Sequence, residues 1–315
     1  MGKFKPENKP YIPQAGEFEL REGRTLEATC YKPLSRVLLE ISYDGSEYGG
    51  WQIQPNRLAV QEDIQNKLTK LYGGQFIHLI GSSRTDAGVH AIGFAASFLT
   101  PVRPVIPLDK LQTALNRQLP PAIRIRSVKE VPLDFHTRYD AIGKAYTYVI
   151  NMGLETPFSG RYSMLATYKL DVEKMRKAAS YLVGTHDYSS FVAERKNIDD
   201  AVRTIYDIRI QDFGNFRCIT FIGNGFLYKM VRNLVGTLYA AGNGTIVPED
   251  AGKILEARDR SIAPDTAPAH GLFLMKVFFE PEDPRSFELE QVPFFFVRRV
   301  FYEKEYSKPC NIGIG

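Results

Sequence analysis

The feature that most constrains the fold of this 315-residue chain is a repeated order of strand-like and helix-like segments. Between residues 36 and 128, short apolar runs indicate strands, and apolar residues three or four positions apart indicate helices, in the order β-α-β-β-α-β. The same order returns between residues 146 and 279, with an extra short helix near residues 249–257. Each half fits the ferredoxin-like plan. We therefore predict an α+β fold in which two such halves meet in a central cleft.

The ends of these segments are marked by residues that favour turns and helix caps. Gly73-Gly74 predicts the end of the first helix, because glycine readily adopts the left-handed conformation of a C-cap. Asp171 is the predicted N-cap of a helix in the second half. The predicted strands are Arg36–Tyr43, Phe76–Ile80, Ala91–Leu99, 123–128, Tyr146–Ile150, Val202–Ile210, Phe216–Ile222 and Leu272–Phe279. The remaining predicted helices lie near residues 60–71, 108–115, 172–182 and 231–238.

The predicted elements divide the chain into four parts. These are a polar N-terminal extension (1–34), a first α+β half (35–132), a second α+β half (133–281) and a C-terminal tail (282–315). The tail contains Phe294-Phe295-Phe296 followed by Arg298-Arg299. We favour packing of these aromatic side chains over contact with a nucleic acid, because aromatic residues are usually buried.

Composition excludes several other classes of protein. Apolar residues make up 44% of the chain and aromatic residues 12%, which predicts a packed core rather than disorder. The three cysteines, Cys30, Cys218 and Cys310, are far apart, and the histidines have no ligand spacing, so neither a disulfide framework nor a metal site is expected. We find no apolar N-terminal segment and no membrane-span-length stretch, and we expect a soluble, cytoplasmic protein. The net charge of +4 permits a nucleic-acid partner without requiring one.

The loop between the second and third predicted strands is the strongest candidate for chemistry. It contains Arg84, Asp86 and Gly88 in the run GSSRTDAGVHA. Loops held between rigid strands often carry catalytic residues, and a neighbouring arginine keeps a carboxylate ionised. An ionised aspartate beside small residues can act as a nucleophile. The alternative is an Asx-turn, in which Asp86 bonds to its own backbone, and the loop by itself favours that interpretation.

A resemblance over longer stretches of the sequence favours the catalytic interpretation of Asp86 over the Asx-turn. The run RTDAGVHA, residues 84–91, resembles the catalytic motif of the TruA family of tRNA pseudouridine synthases. Further family-like stretches occur in the same order over about residues 36–281. They are Tyr43-Asp44-Gly45 with Gly50-Trp51-Gln52, DFHTR (134–138) with KAYTY (144–148), FLYKMVRN (226–233) and AHGL (269–272).

The resemblance implies a role for each matching residue. Asp86 would be the nucleophile, and Arg84 would pair with it and occupy the place of the target base before RNA binds. Tyr146 would stack on the flipped-out base and help to remove the proton from C5, and Leu272 would pack beneath the base. Arg232 would form a salt bridge with Asp86.

Further implications concern the substrate and the assembly. His136, Arg138 and Lys229 would contact RNA. The family acts on tRNA positions 38, 39 and 40 in the anticodon stem-loop, functions as a homodimer and needs no cofactor, since isomerising uridine requires neither redox chemistry nor group transfer to another molecule. One departure is Ser83, where the family often has glycine.

Several alternatives stay open. The chain could be an RNA-binding module or tRNA chaperone without turnover, or a synthase with another RNA target, because the catalytic loop does not determine substrate choice. Trp51 could anchor its glycine-rich loop by packing or could face RNA. Arg124 and Arg126 could belong to an ordinary half-exposed strand or to a basic stripe that faces tRNA.

Overall fold

The computed structural model describes residues 33–193 and 200–295. Almost all of the predicted N-terminal extension and the end of the tail lie outside the described residues. Within them the chain forms ten strands and six α-helices. The strands are β1 (Pro33–Tyr43), β2 (Ile80–Gly81), β3 (His90–Pro101), β4 (Ile123–Val131), β5 (Ala141–Asn151), β6 (Met164–Leu165), β7 (Gly184–Asp187), β8 (Val202–Phe213), β9 (Phe216–Gly223) and β10 (Leu272–Phe279). The helices are α1 (Val60–Leu71), α2 (Leu108–Gln118), α3 (Ser159–Tyr162), α4 (Val172–Ser180), α5 (Met230–Gly242) and α6 (Asp250–Ala257).

One continuous sheet runs through both halves, in the order β4-β1-β3-β10-β5-β9-β8-β7, with β2 paired to β3 and β6 to β5. The first half contributes β4-β1-β3-β2 and the second half β10-β5-β9-β8. In each half the fourth, first, third and second strands are therefore neighbours in that order, which is the arrangement that the split β-α-β plan requires. The predicted α+β fold of two similar halves is confirmed.

The two halves join where β3 meets β10. This pairing is parallel and short, with Phe273 opposite His90 and Leu274 opposite Ala91. β10 and β2 both pair with one edge of β3, because β1 occupies the other edge. β2 pairs further along this edge than β10 does, at Ser97 and Ala96. The chain that follows β2 must therefore leave the sheet at the seam between the halves.

The predicted strand Phe76–Ile80 is wrong over most of its length, since only Ile80 belongs to a strand. The apolar alternation is real, because Ile77 and Leu79 are buried. Their backbone groups bond to side chains of α1 rather than to β3: the amides of Ile77 and Leu79 donate to Thr69 and Gln65. A buried extended segment without ladder hydrogen bonds gives the same sequence pattern as a strand.

The predicted helix ends and the hairpin are confirmed. Gly73 and Gly74 have φ of 69° and 88°, and the Gly74 amide donates to Thr69 O at 2.8 Å, which closes α1. The Asp171 carboxylate accepts from the amides of Glu173 and Lys174 at the start of α4. Strands β8 and β9 pair as a hairpin across residues 214–215.

Apolar side chains fill both faces of the sheet. Tyr146 and Tyr148 of β5 belong to the larger core with the helices, whereas Ala145 and Val149 belong to a smaller cluster with Leu289. Because side chains alternate along a strand, the two clusters lie on opposite faces of the sheet. The helices therefore cover one face, and the start of the tail covers part of the other.

In the described part of the tail, Phe294 packs as predicted, whereas Phe295 is 49% exposed. The Phe294 ring lies 5.9 Å from that of Tyr162 and 5.3 Å from that of Phe216. Phe296, Arg298 and Arg299 lie outside the described residues. Arg124 and Arg126 donate to backbone carbonyls, including those of Pro120 and Ile92, as the half-exposed-strand interpretation expects. In the described ranges, no helix has both the length and the apolarity needed to cross a bilayer.

Candidate active site

The loop that carries Asp86 begins and ends at the seam. It leaves β2 after Gly81 and enters β3 at His90, and its position is fixed by the first half. The hydroxyl groups of Tyr43 and Thr85 are 2.8 Å apart, and the Trp51 amide donates to Thr85 O at 3.2 Å. Gly50 has φ of 100°, and a Cβ there would overlap the Thr85 carbonyl. The loop is therefore clamped from the side of the first half.

Trp51 has a packing role. Its side chain is 2% exposed, and its ring stacks on Phe94 with centroids 3.9 Å apart. A Cβ at Gly81 would overlap the indole, so the glycine makes room for it. The packing interpretation of Trp51 is confirmed.

Asp86 is held from the other half of the molecule. Arg232, in the first turn of α5, donates from Nη1 to Asp86 Oδ2 at 2.7 Å, and the two side chains are only 14% and 15% exposed. Arg232 Nε also donates to Ala267 O at 2.7 Å, which fixes the guanidinium. The carboxylate is thus a hydrogen-bonded, partly buried anion, not the centre of an Asx-turn.

Arg84 does not make the ion pair with Asp86 that the sequence predicts. Its side chain is exposed in the cavity described below, whereas Asp86 is turned toward α5. The guanidinium that pairs with Asp86 is the one from Arg232, which lies 146 residues further along the chain.

Tyr146 lies on β5 beside this pair. Its ring meets Phe226 edge-on, with centroids 5.2 Å apart. Burial, with a smaller contribution from the Asp86 charge, raises the pKa of Tyr146 to about 12, although a hydrogen bond with Ser83 opposes the shift. The phenol is therefore neutral at pH 7. The serine that departs from the family pattern thus contacts this tyrosine.

A single cavity of about 880 Å³ is lined by every site residue that the resemblance implies. It is lined by Asp86, Arg84, Tyr146, Arg232, Leu272, His136, Arg138 and Lys229. Leu272, at the start of β10, is buried in its wall. Cavities of this size accommodate small molecules or a nucleotide. A carboxylate held by a guanidinium, an aromatic ring and an apolar side chain therefore line one space.

The cavity also has lining residues to which the sequence analysis gave no role. Lys144 donates from Nζ to Ser82 O at 2.8 Å. Burial, and then the charges of Arg138 and Arg203, lower its pKa to about 8. Lys144 precedes Tyr146 by two residues on one strand, so strand alternation could have placed it on the same face. Arg203 comes from β8, and nothing in the sequence links it to the loop.

A buried polar cluster lies behind the loop. His90 is 1% exposed; its Nδ1 lies 3.1 Å from the Gly45 amide and 3.2 Å from Asp44 Oδ1, and its Nε2 lies 3.1 Å from His270 O. Asp44 also accepts from Arg161 and Tyr162 of the second half, at 2.9 Å each. Burial would raise the pKa of Asp44, but hydrogen bonds from His90, Ser46 and Tyr162 hold it well below its usual range. The cluster joins the two halves.

A family model and individual relatives that match this chain carry the same description. The family model described as tRNA pseudouridine synthase matches residues 41–140 and 178–280. A protein from Exiguobacterium sibiricum named tRNA pseudouridine synthase A is 42% identical over 253 residues, covering 80% of this chain and all of that protein. One of the same name from Halalkalibacterium halodurans is 43% identical over 240 residues, covering 76% of this chain and 90% of that protein.

Among solved structures, a crystal structure of the archaeal box H/ACA sRNP Nop10–Cbf5 complex aligns with a TM-score of 0.30 and 10% identity. The alignment covers 74% of this chain and 46% of the other. This overlap is too weak to bear on the site.

Proposed function

Because the chain belongs to the tRNA pseudouridine synthase family, an isomerase family, we propose that it converts uridine to pseudouridine in the anticodon stem-loop of tRNA, at positions 38, 39 and 40. Asp86 is the nucleophile, and the target nucleotide is flipped out of the RNA into the cavity. The observation that supports this most is the Asp86–Arg232 pair in one cavity with Tyr146 and Leu272.

The residues of the cavity fit the bonds that must change. The C1′–N1 glycosidic bond breaks, the uracil turns, a C1′–C5 bond forms, and the proton on C5 is replaced by one on N1. The reaction is an isomerisation and needs no oxidant or group donor. Asp86, an anion fixed by a guanidinium, can form a temporary bond to the nucleotide. The site must also retain the detached base throughout.

Tyr146 and Leu272 supply that retention. The Tyr146 ring is buried and offers a face for stacking, and Leu272 offers an apolar surface. Since the raised pKa keeps the phenol neutral at pH 7, we assign Tyr146 to stacking and hydrogen bonding rather than to accepting the C5 proton. Arg84, exposed in the cavity without an ion pair to Asp86, is free to take the place of the base before RNA binds and to move when it arrives.

RNA binding is assigned to the cationic residues at the cavity. His136 Nδ1 accepts from the amides of Arg138 and Tyr139, which shapes the turn that presents Arg138 to solvent. Lys229, at the N-cap of α5, lies with Nζ 4.9 Å from the centre of the Tyr228 ring. Both cations can contact phosphate groups.

We also propose the chain division at residues 132 and 281, a homodimer that shares one tRNA, and action in the cytoplasm, where tRNA is available. The dimer rests on the family resemblance. The mass in solution, alone and with tRNA, tests it.

The experiment that tests the function uses tRNA transcripts with tritium at uracil C5. We expect the wild-type protein to release tritium and to convert uridines of the anticodon stem-loop. Asp86→Asn should abolish release while tRNA affinity stays within a few-fold, because the carboxylate makes bonds to the nucleotide rather than to the RNA backbone. Asp109→Asn, at an exposed aspartate in the first turn of α2, is the control and should retain full release.

Each alternative has its own outcome. Binding without release by the wild-type protein would indicate a binding module or chaperone. Release at other positions would indicate another RNA target. Turnover by Asp86→Asn would remove this residue from its role.

A further inference from the structure

One wall of the cavity carries three cationic side chains from separate segments of the second half. Arg138 belongs to the turn before β5, Lys144 to β5 and Arg203 to β8. We call them the cationic wall. The charges of Arg138 and Arg203 are close enough to Lys144 to help lower its pKa. Like charges brought together without a counterion destabilise one another, so this arrangement is unfavourable unless it serves a ligand.

The backbone holds these cations in place. In the sheet, Gly223 of β9 lies between Lys144 on β5 and Ile205 on β8. Arg203 precedes Ile205 by two residues on β8. The side-chain stem of Arg203 passes 3.8 Å from where a Cβ of Gly225 would lie. Gly223 contributes no side chain between Lys144 and Arg203, and a Cβ at this position would lie 3.1 Å from the Phe226 ring.

In the part of the chain that the structure describes, no carboxylate neutralises the cationic wall. Among the described residues that line the cavity, the acidic ones are Asp86 and Asp200. Asp86 pairs with Arg232, and the Asp200 carboxylate accepts from the Val202 amide at 2.7 Å. Lys144 donates to Ser82 O, and Arg203 donates to the backbone carbonyls of Asp200 and Val202. Within the described ranges, no member of the wall forms an ion pair.

The geometry points to a phosphodiester-binding site: Lys144 and Arg203, with Arg138, bind a phosphate that flanks the nucleotide extruded into the cavity. This inference rests on the proposed function and identifies which part of the RNA the cavity grips. Lys144 is on the same strand and face as Tyr146, so a phosphate bound there lies next to the nucleotide whose base stacks on Tyr146. The grip on the backbone helps to offset the free energy of unstacking that base.

The first test is the salt dependence of tRNA binding. A cation that contacts a phosphate releases counterions, so its removal should reduce the slope of log K against log salt by about 0.7–0.9. We expect this change for Lys144→Gln and for Arg203→Gln, each with roughly tenfold weaker binding at physiological salt. Lys144→Arg should restore the slope, because it retains the charge.

A matched control separates this effect from general loss of charge. Lys129→Gln removes an exposed lysine of β4 that lies outside this cavity, and it should leave the slope unchanged. Thermal unfolding of each variant checks the fold. If Lys144→Gln and Arg203→Gln bind tRNA with the same slope as Lys129→Gln, the phosphate site is refuted. A lysine that only supports the Ser82 carbonyl would change turnover without changing the slope.

The second test locates the phosphate. tRNAs are assembled in which each phosphate flanking the target uridine is replaced in turn by an uncharged methylphosphonate. At the contacted position, Lys144→Gln should weaken binding by less than about threefold, against about tenfold on unmodified tRNA, because the partner is already gone. Equal losses on modified and unmodified RNA at every position would overturn the proposal.

Pseudouridine formation by the wild-type protein is measured on the same tRNA. If none forms, the proposed function fails. If pseudouridine forms while the salt slopes of the variants match that of Lys129→Gln and their losses are equal on modified and unmodified RNA, the proposed function stands and only the phosphate site is refuted.

Discussion

Replacing Asp44 by Asn should destabilise the protein more than its position in a turn suggests. The carboxylate is 20% exposed and joins the halves through Arg161 and the Tyr162 hydroxyl, both at Oδ2. It also accepts from the amide and hydroxyl of Ser46 at Oδ1. Asparagine has one acceptor oxygen. If that oxygen keeps the Ser46 bonds, its NH₂ group faces Tyr162 and the Arg161 guanidinium.

The size of the effect follows from these contacts. Losing the hydrogen bond between Tyr162 and a charged group lowers stability by about 1.5–3 kcal/mol. The Arg161 ion pair contributes only about 0–1 kcal/mol, because that side chain is 43% exposed. We expect the free energy of unfolding to fall by about 1.5–4 kcal/mol in total. A change of this size moves the midpoint of thermal unfolding by several degrees.

The free energy of unfolding of Asp44→Asn is measured by urea and thermal unfolding and compared with that of a matched variant. Asp63→Asn is suitable, since Asp63 accepts from the single hydroxyl of Tyr48 at 2.9 Å and asparagine can keep that bond. Its loss should be about 1 kcal/mol or less. If Asp44→Asn is no more destabilising than Asp63→Asn, the cluster does not hold the halves together as described.

Acid should reduce the difference in the free energy of unfolding between wild type and Asp44→Asn. The pKa of Asp44 is far lower in the folded protein than the value of about 3.9 for an unfolded chain. A carboxylate with a depressed folded pKa stabilises fully above its unfolded pKa and loses this contribution as pH falls. The difference in unfolding free energy should therefore be constant from about pH 5 to 8 and shrink below about pH 4. A difference that grew with acid would contradict the assignment.

Three further changes test the site. Arg232→Met should lower tritium release from C5-labelled tRNA at least a hundredfold, because it leaves Asp86 without its partner; release near the wild-type rate would contradict this. Tyr146→Phe should retain release within about tenfold and Tyr146→Ala should not, because stacking needs the ring; equal rates would refute the stacking role. Gly50→Ala should reduce release far more than Gly73→Ala, since both have positive φ but only a Cβ at Gly50 meets the loop that carries Asp86; equal effects would indicate backbone strain alone.

The sequence predicted those features that depend on nearby residues. Apolar spacing located α1, and Gly73 and Asp171 marked helix ends because capping depends on a few neighbouring groups. The segment before Ile80 was misjudged, because its alternation reports burial while its hydrogen-bond partners are side chains of α1.

The site residues could be predicted from the family resemblance but not from local sequence patterns. Asp86 could be singled out from its loop only through the family resemblance, and its nearest arginine in sequence is not its partner. Arg232 reaches Asp86 through the docking of α5, a long-range contact that no local pattern encodes. Arg203 is a similar case, since pairing of β8 with β9 and of β9 with β5 is needed to bring it near Lys144.

The candidate site and the seam between the halves depend on the same contacts. Backbone pairing between β3 and β10 covers only two residue pairs. Side-chain contacts across the seam supplement it: Arg232 with Asp86, Lys144 with Ser82 O, Arg161 with Asp44, and His90 with His270 O. Two of these four involve residues that line the cavity. Loosening the seam would therefore displace the carboxylate and its guanidinium before it unfolded either half, so activity should be lost earlier than secondary structure as urea is raised.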